Sequence, residues 1–394
     1  GLTQYSYSPS GELTMATYAD GRKEYRLSDK VGNLYNDPDK KLRKYLEGGR
    51  IEKSGEWTFK YDKDGQLIEK FRGNAGIFGT KKDRWEYHWN QTGMLEGVCS
   101  PHRYGQWTRF TYDALGRRLT KLGDATFHYL WNGNVPLHEW RTGERYEDGG
   151  LKSYSEDLKT WLFEEESFVP LALIQEGKAY SIVCDQLGTP TEAYDEEGRE
   201  VWYRRLDMNG QILEETQPGL NPEGYVSIPF LFQGQYYDYE TGLTYNRFRY
   251  YDPELGRYIS EDPIRFESGT LALHSYIEDV NSWVDVLGLS ASTYRVRHYS
   301  NKAGITGIQK ERKIKAKDKG SVFTVKAKGR MTKGSSIDIE KRLGIKEGRG
   351  KYFVEFDASS SEVTVVTNPI TGATEHIFSG DVLLDNRNPI FSPL

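Results

Sequence analysis

Side chains that could do chemistry are concentrated in two short segments near the C-terminal end of the sequence. The first is Arg295-Val-Arg297-His298-Tyr299-Ser300, which combines two guanidinium groups, an imidazole and a phenol. The second is Gly348-Arg-Gly-Lys-Tyr352-Phe-Val-Glu355-Phe-Asp357, which combines a phenol with two carboxylates. An imidazole can act as a general acid or base, and carboxylates can stabilise a developing positive charge. These segments, with Glu375 further along, supply the candidate site residues.

The elements that must position these residues form a small domain of mixed secondary structure. The pattern predicts strands over 293–299, 321–327, 351–357, 362–367 and 376–378, and helices over 302–311 and 335–343. Asn301 and Ser335 are suited to cap the two helices, and residues 368–372 are typical of a turn. The segment contains no zinc signature, P-loop or Gly-x-Ser-x-Gly motif. The sequence therefore predicts a small α+β domain without a metal site.

Charge and aromatic content change abruptly near residue 289. Residues 1–289 carry 34 Lys and Arg against 47 Asp and Glu, a net charge of −13, whereas residues 290–394 carry 19 against 11, a net charge of +8. All nine Trp, and all but three of the 28 Tyr, precede residue 290. The composition therefore predicts a domain boundary at this point. The two cysteines are too few for a disulfide framework.

The N-terminal part repeats one short pattern, in which an aromatic residue is followed by Asp or Asn and then by Gly. Three copies are Tyr61-Asp-Lys-Asp-Gly65, Trp89-Asn-Gln-Thr-Gly93 and Tyr112-Asp-Ala-Leu-Gly116. Asp or Asn caps a tight turn and Gly accepts the positive φ that the turn requires, so each copy is typical of a β-hairpin. One hairpin cannot bury its aromatic face alone, and the repeats are therefore expected to join into a continuous sheet.

These turns resemble the YD repeats of Rhs proteins, and residues 234–263 resemble the motif that ends the Rhs core. The resemblance covers residues 1–289. It implies an all-β YD-repeat spiral shell, a segment of a cocoon, over residues 1–265. A junction over 266–289 and a small α+β toxin domain of ADP-ribosyltransferase-like type over 290–394 would follow. It further implies that the shell encapsulates the toxin domain.

The junction of Rhs proteins is cut by an aspartate-based activity of the shell, after a segment that ends in Asp-Pro-x-Gly-Leu. Asp285, Gly288 and Leu289 match that segment, but Val286 replaces its proline, and Asp279 and Val280 replace an Asn-Pro pair that precedes it in the family. A paired-carboxylate protease needs one base and one acid. The resemblance implies self-cleavage after Leu289, with Asp285 as one carboxylate and Asp279 or Asp262 as the other. The alternative is that these are turn and capping residues of the scaffold.

The tail resembles the HYD1 group of ADP-ribosyltransferase-like toxins at residues 297–308, 348–357 and 380–389. These stretches match a His-Tyr-Ser strand with its following helix, a Gly-x-Gly-x-Tyr-Val-Glu-Phe-Asp strand, and an ending of the form Gly-Asp-Val-x-Leu. The resemblance implies a mono-ADP-ribosyltransferase with NAD as its substrate. The nicotinamide–ribose bond of NAD breaks through an oxocarbenium-like transition state, which the protein must orient and stabilise.

The same resemblance implies roles for the candidate residues. His298 would hydrogen-bond the adenosine-side ribose, and Tyr352 would stack on nicotinamide or line its pocket. Asp357 or Glu375 would bind the 2′-hydroxyl of the nicotinamide ribose and offset the developing charge. A forked guanidinium would meet the pyrophosphate. The NAD-binding set is Arg295, Arg297, His298 and Tyr299.

Each assignment has a structural alternative. His298 could be a satisfied surface or core histidine, Tyr352 a core residue, and Asp357 part of a solvated strand face. The run over 313–319 could be an exposed charged segment, or it could steer the domain to RNA. Two other functions stay open. One is a nuclease toxin, an RNase in particular, with His298 or His376 as general acid or base, and the other is a non-catalytic YD-repeat adhesion protein.

The Rhs resemblance also implies a setting of interbacterial competition. The producer would make the toxin in its cytoplasm with a cognate immunity protein. A type VI secretion spike, or the upstream N-terminal region of the Rhs protein, would carry it to a target cell. There the secreted toxin would modify a protein or RNA in the cytoplasm. The sequence has no apolar run long enough for a transmembrane helix, so no membrane segment is expected.

Overall fold

A computed structural model describes the chain except for residues 1–2, 9–11, 74–83, 104, 166, 217–225, 266–270, 278, 282, 290–292, 317–319, 328–331, 333, 360–362, 369, 385–386, 388 and 393–394. The chain divides into two compact units, the first ending at Ser290 and the second beginning at Ala291. Strands dominate the first unit, and the second combines strands with helices. Within the described residues, no helix is both long and apolar enough to cross a membrane.

The first unit starts with two small antiparallel sheets. They consist of β1 (Gln4–Tyr7), β2 (Leu13–Thr17) and β3 (Lys23–Tyr25), and of β4 (Leu27–Ser28) and β5 (Leu34–Tyr35). In the described part of the chain, sixteen further strands form one antiparallel sheet in chain order. These are β6 (Arg43–Tyr45), β7 (Ile51–Ser54), β8 (Trp57–Tyr61), β9 (Leu67–Arg72), β10 (Arg84–Trp89), β11 (Leu95–Cys99), β12 (Trp107–Tyr112), β13 (Arg118–Leu122), β14 (Thr126–Asn132), β15 (Val135–Glu147), β16 (Gly150–Phe163), β17 (Pro170–Gln175), β18 (Lys178–Cys184), β19 (Pro190–Tyr194), β20 (Glu200–Leu206) and β21 (Ile212–Glu215).

A four-stranded antiparallel sheet follows, built from the segment that resembles the Rhs core end motif. Its strands are β22 (Tyr236–Asp238), β23 (Leu243–Asn246), β24 (Arg249–Asp252) and β25 (Arg257–Tyr258). Two short 3₁₀ helices, Glu47–Gly49 and Pro101–Arg103, complete the regular elements described in this unit. A sheet of consecutive hairpins is the arrangement expected from the repeated turns.

The turn between β12 and β13 shows why the repeats form hairpins. The Asp113 carboxylate accepts hydrogen bonds from the backbone N–H groups of Leu115, at 2.9 Å, and Arg117, at 2.8 Å. Gly116 between them has a φ of +77°, a conformation that glycine adopts without steric cost. Among the described residues, equivalent bonds occur at six further turns, which begin at Asp29, Asp62, Asn90, Asp185, Asp195 and Asp207.

A β-bulge follows this turn at the same place in the hairpins of the sixteen-stranded sheet that contain it. Tyr112 pairs with Arg118 but Thr111 pairs with Thr120, so Leu119 is an extra residue on the returning strand. The same shift occurs in hairpins along the sheet, including β8–β9, β10–β11, β18–β19 and β20–β21. A bulge bends its strand and increases the local twist. We define this combination of Asp or Asn, Gly and one extra residue as the turn–bulge unit.

The core of the first unit lies between one face of the sixteen-stranded sheet and the four-stranded sheet. Tyr250 packs on Phe110 with ring centroids 5.4 Å apart, and Tyr236 meets the edge of Tyr129 at the same distance. Trp161, 1% exposed, lies in the same cluster. Aromatic residues of the repeats therefore bury their faces against aromatic residues of the core end motif.

A buried ionic cluster joins the same two sheets. Arg118 on β13 is 1% exposed, and its guanidinium lies 2.5 Å from the carboxylate of Asp238, which is fully buried on β22. Lys121 binds the other oxygen of this carboxylate at 3.2 Å and also Glu240 at 3.0 Å. The Arg118 guanidinium also lies within 5.4 Å of four aromatic ring centroids. Burial of such charges is tolerated only because each has a partner.

The second unit is a six-stranded sheet with two helices and an additional strand pair. Its elements are β26 (Thr293–Ser300), α1 (Lys302–Glu311), β27 (Lys313–Ile314), β28 (Ser321–Lys326), α2 (Ser336–Leu343), β29 (Tyr352–Ser359), β30 (Val363–Thr367), β31 (Thr374–Ser379), β32 (Val382–Leu383) and β33 (Ile390–Phe391). The order in the sheet is β30-β31-β28-β26-β29-β33, while β27 pairs with β32. Every pairing is antiparallel, and β26 occupies a central position.

Local capping fixes both helices of this unit. The Asn301 side chain accepts a hydrogen bond from the Gly304 N–H at the start of α1. At α2, Ser335 and Asp338 form a reciprocal capping box, and Gly344 ends the helix in the left-handed conformation. The fold class expected from the sequence, an all-β repeat shell followed by a small α+β domain, is confirmed.

Candidate functional site

His298 and Tyr352 lie on the same face of the second unit's sheet. In the antiparallel pairing of β26 with β29, Ser300 is opposite Tyr352 and His298 is opposite Val354. Residues two apart on a strand share a face, so His298, Ser300 and Tyr352 share theirs. They also lie at the same end of the two strands, directly before α1 begins at Lys302. The structure therefore brings together these two residues of the predicted catalytic set.

The orientation of the His298 ring is fixed by the neighbouring strand. Its Nδ1 lies 2.9 Å from the backbone carbonyl oxygen of Phe323 on β28. Since a carbonyl can only accept, Nδ1 carries the proton and donates, and Nε2 of a neutral ring is then the accepting nitrogen. Such a nitrogen is suited to accept a hydrogen bond from a sugar hydroxyl. His298 is only partly buried, which leaves its ring accessible to a ligand.

Arg295, Arg297 and Tyr299 lie on the opposite face from His298. Arg295 Nε is 3.2 Å from one carboxylate oxygen of Glu355, and Arg297 Nη2 is 2.8 Å from the other. The Arg297 guanidinium also lies 3.9 Å from the centroid of Phe353. The predicted NAD-binding set is thus divided between two faces of the sheet, with His298 on one face and the other three residues on the opposite face. Both arginines form ion pairs with Glu355.

The face that holds these arginines is covered by α2. Tyr299 belongs to a buried cluster with Val325 on β28 and with Ile339 and Leu343 on α2. Tyr299 is 9% exposed, and its ring meets the edge of Phe353 with centroids 5.9 Å apart. This face of the sheet therefore contains a hydrophobic core beneath α2, and the ion pairs of Glu355 with the two arginines lie on the same face.

The two predicted catalytic carboxylates occupy different strands. Glu375 lies on β31, and its Oε1 accepts a hydrogen bond from the Asn368 side-chain amide at 2.8 Å. Alternation along β31 places Glu375 on the face opposite to that of His376, which is 4% exposed. Asp357 lies on β29 opposite Arg295, and its side chain is outside the described part of the structure.

The basic run over 313–319 contributes ion pairs at the edge of this unit. Lys313 binds Asp381 at 2.8 Å, and Lys315 binds Glu311 at 2.7 Å. Residues 317–319 of the run are outside the described residues. Among the residues that are described, no group of three or more His, Cys, Asp or Glu side chains could hold a metal ion.

The junction forms a second candidate site, in the first unit. Arg249 on β24 lies 3.0 Å from the Asp262 carboxylate and 3.4 Å from that of Asp285. All three side chains are almost completely buried. Arg249 also donates from Nε to the carbonyl oxygen of Gly288 at 2.5 Å, and Asp285 Oδ1 accepts from the Leu289 N–H at 3.1 Å. One arginine therefore links both carboxylates to the residues just before the expected cut.

Asp279 takes no part in the contacts described for the junction. Its carboxylate accepts a hydrogen bond from the Asn281 N–H at 3.0 Å, which is the geometry of a local turn. Of the two partners considered for Asp285, the structure thus places Asp262 beside the same guanidinium. Sequence reasoning missed Arg249, although the arginine-rich stretch Asn246-Arg-Phe-Arg-Tyr in the core end motif was an available signal.

Two family models match this chain. The family described as Teneurin YD-shell matches residues 2–298, and the family described as HYD1 signature containing ADP-ribosyltransferase matches residues 296–387. "Double-stranded DNA deaminase toxin A" of Burkholderia cenocepacia is 32% identical over 309 residues, which cover 74% of this chain and 21% of that protein. "Probable deoxyribonuclease RhsB" of Dickeya dadantii is 28% identical over 297 residues, which cover 73% and 19%.

A solved structure of a Photorhabdus luminescens Tc holotoxin pore aligns with 73% of this chain and 13% of that chain, at a TM-score of 0.43 and 18% identity. The chain spans about a fifth of the length of the curated relatives it matches. The Teneurin YD-shell match covers most of the sequence, including the turn–bulge units and the core end motif. The chain therefore belongs to the Teneurin YD-shell family, with a C-terminal segment that matches the HYD1-type ADP-ribosyltransferases.

Proposed function

We propose that this chain is the C-terminal part of an antibacterial Rhs toxin whose residues 290–394 transfer ADP-ribose from NAD to a macromolecule of a target cell. The observation that carries the proposal is the placement of His298 and Tyr352 on one face, at one end of two paired strands. Both residues fall within the segment matched by the HYD1-type family. The transfer would make this segment a mono-ADP-ribosyltransferase.

The geometry supports separate roles for His298 and Tyr352 in binding NAD as the substrate. The fixed His298 ring would accept a hydrogen bond from a ribose hydroxyl, and the Tyr352 ring would stack on the nicotinamide. In the reaction, a nucleophile of the target bonds to C1′ of the ribose while the bond to nicotinamide breaks. Nicotinamide leaves as a neutral molecule, and the proton of the nucleophile passes to a base or to water. An oriented carboxylate would stabilise the positive charge on the ribose.

Three residues are candidates for this carboxylate. Asp357 and Glu375 are the candidates from the sequence, and Glu355 is a third because it lies on β29 opposite Arg297 and binds both arginines. Glu355 is already neutralised by Arg295 and Arg297, which makes it less suited to balance a developing cation. We therefore keep Asp357 and Glu375 as the proposed charge-stabilising residues, although strand alternation assigns both positions to the face opposite to that of His298.

Replacing His298 by Ala is expected to abolish transfer of labelled ADP-ribose, because the substrate loses its fixed ribose contact. The full chain and residues 290–394 would be incubated with labelled NAD and a bacterial lysate, and label on protein and RNA would be measured separately. Tyr352→Phe should retain activity if the ring stacks, while Lys315→Ala, on an exposed pair away from the site, serves as the control. Circular dichroism would establish that each variant is folded.

Loss of label in His298→Ala, with normal labelling in the control, would support the transferase and identify its target. A folded tail that stops bacterial growth without consuming NAD would contradict it. Degradation of RNA under those conditions would establish the alternative of a nuclease. Because two relatives are named as a DNA deaminase and a deoxyribonuclease, the assay would also measure damage to DNA.

The proposed partners follow from the assignment of the chain to an Rhs toxin. A cognate immunity protein would protect the producer, and the basic tail, with its net charge of +8, favours an acidic binding surface on it. Export would depend on a type VI secretion spike or on an Rhs region N-terminal to this chain. Encapsulation by the shell would keep the toxin inactive until it reaches the target-cell cytoplasm, where a protein or RNA is modified.

A second activity is favoured by the junction, where we propose self-cleavage after Leu289. The observation that carries it is the pair of buried carboxylates, Asp262 and Asp285, on one guanidinium that also binds Gly288. One carboxylate would take a proton from water while the water oxygen bonds to the Leu289 carbonyl carbon. The bond to the nitrogen of residue 290 then breaks, and that nitrogen takes up the proton.

Asp285→Asn and Asp262→Asn are each expected to leave the chain intact, because each removes a carboxylate from the pair. The full chain would be produced with and without each change, and cleavage would be followed by gel electrophoresis and by mass spectrometry of the new ends. Asp279→Asn is the matched control, since its carboxylate caps a separate turn. Cleavage that continues in the first two variants, or that stops in the control, would contradict the assignment.

A further inference from the structure

Two uncharged side chains of the core end motif, Tyr258 and Asn246, bind Asp285 at the junction. The Tyr258 hydroxyl donates to Asp285 Oδ2 at 2.7 Å. The Asn246 side-chain amide donates to the same hydroxyl and to the backbone carbonyl of Asp285, both at 2.8 Å. Asn246 is fully buried and Tyr258 is 1% exposed. The Asp285 side chain and its own peptide group are therefore fixed by one connected pair of residues.

Tyr258 contacts the charged partner of Asp285 as well. The carbon of the Arg249 guanidinium lies 3.6 Å from the Tyr258 ring centroid. Burial, together with the Asp285 carboxylate, raises the pKa of Tyr258, so the hydroxyl stays protonated and acts as the donor. One tyrosine thus orients a carboxylate with its hydroxyl and an arginine with its ring.

The backbone around the junction leaves little room for another arrangement. Gly288 has a φ of +67°, and a Cβ at this position would lie 2.4 Å from the carbonyl oxygen of Asn246. A Cβ on Gly234 would lie 2.2 Å from the carbonyl oxygen of Val286. The Phe248 N–H also donates to the carbonyl of Leu287 at 3.2 Å. The segment before the cut is therefore held closely against the loop between β23 and β24.

We infer that Tyr258 and Asn246 are positioning residues for cleavage after Leu289, an inference that rests on the proposed self-cleavage. Their hydrogen bonds fix Oδ2 of Asp285, which leaves Oδ1 directed at the Leu289 N–H. Without the Tyr258 hydroxyl, the carboxylate can rotate away from the Leu289 N–H, which lies one peptide before the bond that is cut. Accurate orientation of a reacting group is worth orders of magnitude in rate.

Tyr258→Phe tests this role, because it removes the hydroxyl but keeps the ring beneath Arg249. Each full-length chain would be made by cell-free synthesis, so that it is intact at the start, and the cleaved fraction would be followed over time. We expect cleavage to slow by about 10- to 100-fold. Asn246→Leu should slow it in the same direction, since Asn246 supports the Tyr258 hydroxyl. The pH dependence of the rate would be recorded for each variant.

Tyr245→Phe is the matched control for loss of a buried hydroxyl. Tyr245 lies in the same four-stranded sheet, but its hydroxyl bonds to Gly116 and Arg118 in the repeat sheet instead of the junction. Slow cleavage in Tyr258→Phe, with normal cleavage in a control of equal thermal stability, would support positioning. Equal rates in both variants would overturn it. A wild-type chain that is never cut would overturn the self-cleavage proposal itself, a result distinct from a cut wild type with an equally active Tyr258→Phe.

Discussion

Arg118→Met is expected to lower the free energy of unfolding of the first unit by about 3–5 kcal/mol. The change keeps an apolar side chain of similar length in contact with the surrounding rings, but it leaves the fully buried Asp238 carboxylate with only Lys121 as a charged partner. Lys121 is shared with Glu240 and balances the buried carboxylate only in part, which is the main cost of the change. Thermal unfolding followed by circular dichroism would measure the loss, with a melting temperature lower by about 10 °C.

The adjacent residue provides the control for this prediction. Arg117→Met removes a guanidinium that binds Asp113 at 2.6 Å at the partly exposed turn, where an ion pair contributes only about 0–1 kcal/mol. The double change Arg118→Met with Asp238→Leu should recover much of the loss, because the buried carboxylate that lost its arginine is then absent. Equal effects of the two single changes would contradict the prediction that the buried cluster contributes more to stability than the exposed ion pair.

Glu355→Gln is expected to destabilise the second unit by about 3 kcal/mol. The amide cannot balance Arg295 and Arg297, so two guanidinium groups of like charge are left beside each other on a face covered by α2. Urea unfolding of residues 290–394 would measure the change. Glu347→Gln, at an exposed position, is the control and should change stability by less than about 0.5 kcal/mol.

The same variant separates two roles for the arginines. If Arg295 and Arg297 are structural, Glu355→Gln lowers stability and leaves the affinity of the remaining folded protein for NAD unchanged. If instead they bind the pyrophosphate of NAD, releasing them from Glu355 should strengthen NAD binding without a large loss of stability. Isothermal titration with NAD at a temperature where the variant is folded would distinguish these results.

The secondary structure of the tail was predictable because its signals are local. The helix predicted over 302–311 has those same bounds, since Asn301 caps it and Ile305 and Ile308 form its buried side. In contrast, β27, β32 and β33 are two-residue strands without periodicity of their own. Their formation depends on pairing between segments far apart in sequence, such as Lys313 with Leu383, and no local pattern indicates it.

At the candidate sites, too, only the features that depend on local sequence could be predicted. Strand alternation alone separates His298 from its neighbours Arg297 and Tyr299, so the division of that set between two faces was available from the sequence. That α2 covers one face of the sheet could not be predicted from the sequence, because it depends on tertiary packing. At the junction, the choice of Asp262 over Asp279 required the position of the Arg249 side chain, which no local pattern in the sequence indicates.

The turn–bulge unit has a consequence for how such a sheet can change over time. Each unit sets the pairing of its own two strands, so a change of length in one hairpin is not passed on to the next. The strands β15 and β16, of 13 and 14 residues, are far longer than their neighbours, yet Thr126 still pairs with Thr142 and Lys159 with Gln175. Register errors are thus confined to single repeats. Whole hairpins can therefore be inserted, lost or extended during evolution without scrambling the rest of the sheet.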